Sequence, residues 1–476
     1  MVRLLAVMCW LVSCATLAQK PPIDRSLDST ETLVRNAYNA NQPETLYALT
    51  NDLFQKQISE AQFRSFISGA VASLGKWKSS DRPVLIGGTF HFKALFEKAT
   101  MDFLLNLDQQ KKIALFALQP FRETAVARSA KVLTNNPLKT SLDRQVDEAL
   151  QNYVTNATTV GISVGILRND SLFTYGYGET AKGTGRIPDR TTVFEIGSVS
   201  KTFTATLLAD AVRRGLVKLE DPVSKYLPDS IPLLKHEGVV VTLKMLANHT
   251  SGLPRMAGNW SAGNGFDSQN PYAVYTEPLL FTYLQKPKFN YRPGTTYEYS
   301  NLAMGVLGTI IARKSGQSYE QLLNQVINKP LGLQQTNITL APDDTTNLAT
   351  GYNESGLVAP SWAFQALAGA GAIRSTTADL LRYLQANLGA APPELAKDFE
   401  FTHRQTFSGA NPVETVGLGW HIINRTGWLW HNGGTGGFRS FVGFNPAHKT
   451  GIVILVNSVS APLDGLDWKI IKAASL

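Results

Sequence analysis

Cysteine is nearly missing from this sequence. Two occur in 476 residues, Cys9 and Cys14, both at the N-terminal extreme. The body of the chain therefore holds neither a disulfide framework nor a cysteine-based metal site. The seven histidines are scattered, none at ligand spacing from an acidic partner, so no metal and no cofactor is expected. Blocks of five or more like charges are absent. The formal net charge of +8 is spread along the chain, which suits solubility and mild attraction to anionic surfaces rather than nucleic-acid binding. No zinc-finger, P-loop or other nucleotide motif stands out.

What the chain does have begins with a leader. Residues 1–18 carry one charge, Arg3, and an apolar run from Leu4 to Ala18, too short for a membrane-spanning helix and suited to a secretory signal. Thr16-Leu17-Ala18 reads as an ordinary cleavage site. Leu11-Val12-Ser13-Cys14 reads as a lipobox, which would make Cys14 an outer-membrane lipid anchor but would leave an unusually short signal; ordinary cleavage is preferred. Either route takes the protein out of the cytoplasm, to a periplasmic or secreted location. The length implies two folded units beyond the leader, and 43% hydrophobic with 17% charged residues marks them as globular. A monomer is expected.

Residues 27–122 read as a small α+β domain. Ser29-Thr30-Glu31-Thr32 is expected to cap a helix carrying Leu33, Ala37 and Tyr38. One helix is expected after Pro43, with Leu46, Leu49, Leu53 and Phe54, and another after Ser59-Glu60. Alternation through Met101–Leu107 and Ile113–Ala117 predicts a hairpin across Asp108-Gln109-Gln110. Helices followed by an antiparallel sheet resemble the cone-shaped domains of the nuclear-transport-factor-2-like type. Trp77 and His91 are read as packing residues. Residues 123–140 read as a linker.

Residues 141–476 carry the chemistry. A helix over Leu142–Tyr153 and a hairpin, Val160–Leu167 with Ser171–Gly178, lead to Phe194-Glu195-Ile196-Gly197-Ser198-Val199-Ser200-Lys201. Ser198 and Lys201, three apart on a helical turn, share a face. Unpaired N–H groups at a helix start can hold an oxyanion, so Ser198 is the candidate nucleophile and Lys201 its activator. Downstream stand Tyr299-Ser300-Asn301 and His431-Asn432-Gly433-Gly434. Tyr299 is a candidate proton carrier, its phenolate favoured by a nearby ammonium. Asn301 is a candidate donor to a substrate carbonyl. Gly433 and Gly434 would allow close backbone approach.

Three decoys are set aside. Ser73–Lys76 repeats the Ser-x-x-Lys spacing without the company of the other motifs. Gly161-Ile162-Ser163-Val164-Gly165 matches a nucleophile elbow, but it lies within an extended run rather than at a strand-to-helix turn. His236-Glu237-Gly238 precedes the tyrosine motif and lacks the glycine run. His249, in the loop Asn248–Pro254, is read as a structuring residue rather than a general base.

The three motifs, in this order from residue 141 to about 460, resemble the class C β-lactamase and penicillin-binding-protein superfamily of serine hydrolases. The resemblance implies an α+β fold: an antiparallel sheet flanked by helices with a helical lobe, preceded here by the small cone-like domain. It implies acyl transfer through Ser198, Lys201 and Tyr299, an oxyanion hole from the N–H groups of Ser198 and Gly434, and substrate contacts from Asn301, His431 and Gly433. Expected substrates are a β-lactam, a D-Ala-D-Ala peptide or an ester. A penicillin- or peptidoglycan-sensing receptor without turnover is the reading of another class. Many β-lactamases of this kind have lysine where this chain has His431, which puts β-lactam turnover in doubt more than acyl transfer; Arg439 could compensate.

Overall fold

The computed structural model describes residues 25–475, apart from 82, 87–88, 109, 122–131, 156–158, 341–346, 412–413, 461–462 and 464. The leader with Cys9 and Cys14, the first part of the linker and the turn residue Gln109 lie outside the described residues. The chain separates into two compact units, Met1–Val126 and Ala127–Leu476.

In the first unit, helix α1 (Arg25–Asn39) begins before the expected cap, which falls inside the helix. Leu27, Val34, Ala37 and Tyr38 face the core, while Leu33 is 55% exposed. The single helix expected after Pro43 is two, α2 (Pro43–Ala48) and α3 (Asp52–Gln57). Tertiary pairing makes the break: Asn51 N donates to Ile113 O and Ile113 N to Leu49 O, each at 2.9 Å, and Asn51 then caps α3 through Phe54 N. Helix α4 (Glu60–Leu74) starts on a capping box of Ser59 and Gln62. Then come β1 (Trp77–Ser80), β2 (Val84–Ile86), β3 (Thr89–Phe96), β4 (Thr100–Leu107) and β5 (Ile113–Pro120). They form an antiparallel sheet ordered β1-β3-β4-β5, with β2 on β3. Trp77 is core, and His91 pairs with Asp102 at 2.8 Å.

The second unit is built on an eight-stranded antiparallel sheet. Its first hairpin, β6 (Gly161–Arg168) with β7 (Ser171–Gly178), follows helix α5 (Ser141–Thr155). Strand β8 (Val193–Glu195) pairs with β11 (Arg374–Thr376) and leads the chain toward helix α6 (Ser200–Arg213). A small hairpin, β9 (Lys235–His236) with β10 (Val239–Val240), turns on Glu237 (φ 48°) and Gly238 (φ 78°), so the decoy His-x-Gly is a two-residue turn. Helices α7 (Leu243–Ala247), α8 (Glu277–Leu284) and α9 (Asn301–Ser315) follow.

The C-terminal strands are β12 (Phe407–Asn411), β13 (Glu414–Val416), β14 (His421–Ile423), β15 (Leu429–Gly434), β16 (Arg439–Asn445) and β17 (Thr450–Val456). The sheet runs β12-β13-β14-β15-β16-β17-β6-β7, so the first hairpin closes beside the last strand. One apolar cluster gathers Val146 and Leu150 of α5, Ile162, Val164 and Ile166 of β6, Ile454 of β17 and Ile470 of the C-terminal helix Leu466–Ser475. The larger cluster unites α6, α9, the helix Thr377–Asn387 and inward side chains of β16 and β17. Alternation along the strands feeds both. Ser163 lies in mid-strand, fully buried, its Oγ 2.7 Å from Thr377 Oγ1, which removes it as a nucleophile. Ser73 spends its hydroxyl on Gly69 O at 2.8 Å.

Candidate active site

Ser198 does not sit in the first turn of α6 but in a single 3₁₀ turn, Gly197–Val199, that leads into it. Gly197 has φ 48°, a left-handed value that suits glycine, and a Cβ there would lie 2.7 Å from Gly434 N. In 3₁₀ geometry positions i and i+3 eclipse. The entry turn thus sets the Ser198 hydroxyl over Lys201, whose Nζ lies 2.9 Å from Ser198 Oγ. Lys201 has no exposed surface. Its nitrogen also donates to Ala370 O at 2.6 Å.

That carbonyl has no sequence signal of its own; it belongs to the small-residue run Ala368–Ala372. The run is small because it is squeezed: a Cβ on Gly369 would meet Met304 O at 2.9 Å and Gly308 Cα at 3.0 Å. Thr204 Oγ1 donates to Gly369 O at 2.7 Å and Ile373 N to Ser200 Oγ at 3.1 Å, pinning the run along α6.

Tyr299 arrives from the far side of the cleft on a stapled loop. Glu298 N donates to His249 O at 2.8 Å and Ser300 N to His249 Nδ1 at 3.1 Å. Ser300 Oγ donates to Pro254 O at 2.7 Å. Asn301 N and Leu302 N both donate to Arg255 O, at 3.0 and 3.2 Å. His249 takes φ 61° to make these bonds, so it does structure the loop. Its ring also packs 4.6 Å from that of Tyr299. The Lys201 side-chain nitrogen is 4.8 Å from the centroid of the Tyr299 ring. Asn301 is buried; its amide donates to Tyr272 OH at 3.2 Å and its Oδ1 has no partner among the described residues.

Strand β15 forms the third wall. Strand β14 pairs with it only at Leu429 and Trp430, which leaves the edge from His431 onward open, and there the Ser198 turn packs. A Cβ on Gly433 would lie 2.1 Å from Ile196 O and 2.9 Å from Ser198 N. The missing side chain of Gly433 thus admits the nucleophile turn itself. Ser440 Oγ locks the contact by donating to Ile196 O at 2.7 Å.

His431 differs from expectation. It is 1% exposed, its Nδ1 is 2.6 Å from Asn432 O, and its Nε2 has no partner among the described residues. Its ring lies 6.1 Å from that of Tyr299 and 5.4 Å from that of His421. It packs beneath the tyrosine rather than presenting a charge to the cleft.

The electrostatics run against an ammonium–phenolate pair. Burial, aided by the charge of Arg255, holds Lys201 well below the usual lysine range. Burial pushes the Tyr299 phenol up, against the Ser198 hydrogen bond and Arg255. Burial, with His421 and Lys201, holds His431 well below its ordinary value; burial takes His421 down to about 4. Burial therefore favours the uncharged forms of the amine, the phenol and the imidazole, which works against the phenolate expected from Lys201.

Two guanidinium groups complete the surroundings. Arg255 is exposed, its guanidinium carbon 5.0 Å from the centroid of the Tyr299 ring. Arg439 lies beside Gly434: its Nη1 is 3.0 Å from where a Cβ at Gly434 would stand, and its Nη2 is 3.5 Å from Val459 O. Among the described residues neither has a carboxylate within 4.0 Å. Sequence reasoning named Arg439 and missed Arg255, which follows directly on Leu253-Pro254 and carries no signal of its own.

A family model described as Beta-lactamase matches residues 146–475. The chain is 30% identical over 373 residues to a β-lactamase of Lysobacter lactamgenus, covering 69% of this chain and 90% of that protein. It is 30% identical over 331 residues to the D-alanyl-D-alanine-carboxypeptidase/endopeptidase AmpH of Escherichia coli K12, covering 66% and 83%. The fold is similar to the crystal structure of a β-lactamase/D-alanine carboxypeptidase from Pseudomonas syringae, with TM-score 0.61, 27% identity, and 70% and 99% of the two chains covered. It is also similar to a D-alanine carboxypeptidase AmpC from Burkholderia cenocepacia, with TM-score 0.59, 28% identity, and 70% and 99% covered.

Proposed function

Because the chain belongs to the beta-lactamase family, and is thus a serine hydrolase, we propose that it opens the amide of a β-lactam through an acyl-enzyme on Ser198. The observation that carries the assignment is the fully buried Lys201 nitrogen 2.9 Å from Ser198 Oγ. A neutral amine there can accept the serine proton as the oxygen attacks the carbonyl carbon. The N–H groups of Ser198 and Gly434 receive the oxyanion. As the C–N bond breaks, Tyr299, whose ring centroid is 4.8 Å from the Lys201 nitrogen, passes a proton to the leaving nitrogen and is resupplied from Lys201. Water then attacks the acyl carbon, gives its proton to the same pair, and releases the acid, restoring Ser198. Asn301 orients the substrate amide.

Cleavage of a D-Ala-D-Ala peptide by the same chemistry is the second reading. It is supported by the AmpH relative and by a buried imidazole at position 431, where a permanent charge would serve a β-lactam carboxylate. Turnover of nitrocefin, a D-Ala-D-Ala peptide and a short-chain ester distinguishes the readings. Multiple turnovers of nitrocefin support the first, peptide cleavage with slow nitrocefin turnover supports the second, and stoichiometric trapping without release supports a sensor and contradicts both. We also infer export from the apolar run Leu4–Ala18; a mature protein beginning at Gln19 is expected, and a lipid-modified Cys14 contradicts ordinary cleavage.

A further inference from the structure

We propose that Arg255 is a specificity-determining residue that selects substrates bearing a carboxylate on the leaving group. The proposal rests on the acyl-transfer reading above. Recognition of an anion in this cleft needs a cation with a charge to offer. Lys201 and His431 are both buried, so neither presents a charged group at the surface of the cleft. Two arginines remain, at opposite ends of the open edge of β15. Arg439 stands at Gly434. Arg255 stands at Tyr299, whose ring is 6.1 Å from His431. A strand rises about 3.3 Å per residue, so His431 and Gly434 are about 10 Å apart, and one guanidinium cannot serve both ends.

The end that Arg255 serves is the one where the proton reaches the leaving atom. Its guanidinium is 5.0 Å from the Tyr299 ring centroid, and its carbonyl accepts from Asn301 N and Leu302 N. The backbone that carries the charge is thus tied to the tyrosine segment. The side chain is exposed and has no carboxylate within 4.0 Å among the described residues. A planar fork of this kind fits a carboxylate with two parallel N–H···O bonds. The alternative, that Arg255 acts only by tuning Tyr299, changes the rate for every substrate alike; recognition of an anion changes the ratio between substrates.

The test compares 3-acetoxybenzoate with its neutral methyl ester, which carry the same acyl group and differ in the charge of the phenol that leaves. The wild-type protein is expected to prefer the anion in kcat/KM. R255Q should reduce the ratio of the two kcat/KM values by about 10- to 100-fold, the range for a hydrogen bond to a charged group. R255K should fall between, and salt near 1 M should shrink the wild-type ratio. A ratio unchanged in R255Q, even with both rates lowered, overturns the proposal. A ratio that collapses only in R439Q overturns it too and moves the anion to the other end of β15. If the wild type cleaves neither ester and is not acylated by penicillin, the acyl-transfer reading fails and takes the proposal with it.

Discussion

A lysine without exposed surface, its nitrogen 2.6 Å from a backbone carbonyl and 2.9 Å from a hydroxyl, has lost the hydration that keeps an ammonium charged. Burial favours the neutral form, and Arg255 pushes the same way. The sign of the pH dependence follows. If neutral Lys201 is the base, kcat/KM falls as the medium is acidified through its depressed pKa and stays high above it. K201R replaces the amine base with a permanent cation, and a loss of about 10²- to 10⁴-fold is expected. R255Q removes a repelling charge, so the acidic limb of the pH profile should move to higher pH. A profile flat on the acid side, or K201R with wild-type rates, contradicts the assignment. Ser198, Lys201 and Tyr299 could be singled out in the sequence because their motifs stand together in an order that resembles a known family; the Ser-x-x-Lys spacing alone also occurs at Ser73–Lys76. Arg255 and the Ala370 carbonyl were not, since each reaches the site only through tertiary contact and neither has a residue type that marks it.

At the scale of elements, the site depends on three backbone segments meeting without side chains between them. Gly433 is the closest of these contacts. G433A would set a methyl 2.1 Å from Ile196 O, and backbone on both sides leaves no flexible group to give way. The expected outcome is a destabilisation of about 1–3 kcal/mol or more, with turnover nearly lost because the Ser198 turn is displaced. A thermal melt and a nitrocefin assay on the same sample check it; wild-type melting with wild-type turnover would show that the contact is not tight. The first hairpin of the sheet and the helix start at Ser59 followed from alternation and spacing. The break between α2 and α3 did not, because it is made by Ile113, a strand residue far along the chain. The strands β1 and β2 are short and carry no regular alternation of apolar residues, whereas β3 was missed although Phe90, Phe92, Ala94 and Phe96 alternate along it.

Across the whole molecule, the two units have separate apolar cores. Trp77, Phe92, Phe103 and Phe116 centre one, and the clusters on the two faces of the eight-stranded sheet make up the other. Every group assigned to the chemistry belongs to the second. A chain of residues 132–476 should therefore fold and retain kcat/KM within about threefold, as expected of a unit with its own core. Loss of solubility or of activity in that chain would show that the first unit is needed. The sequence pattern revealed two units and an antiparallel sheet. It could not reveal that the first hairpin closes beside the last strand, because strand order is decided by which faces bury each other.

The account turns on Ser198 as the nucleophile, and locating the covalent adduct tests that most directly. After incubation with a penicillin, digestion and mass spectrometry should find the acyl group on the peptide containing Ser198, and S198A should show neither adduct nor turnover. An adduct on any other residue, or labelling that persists in S198A, contradicts it.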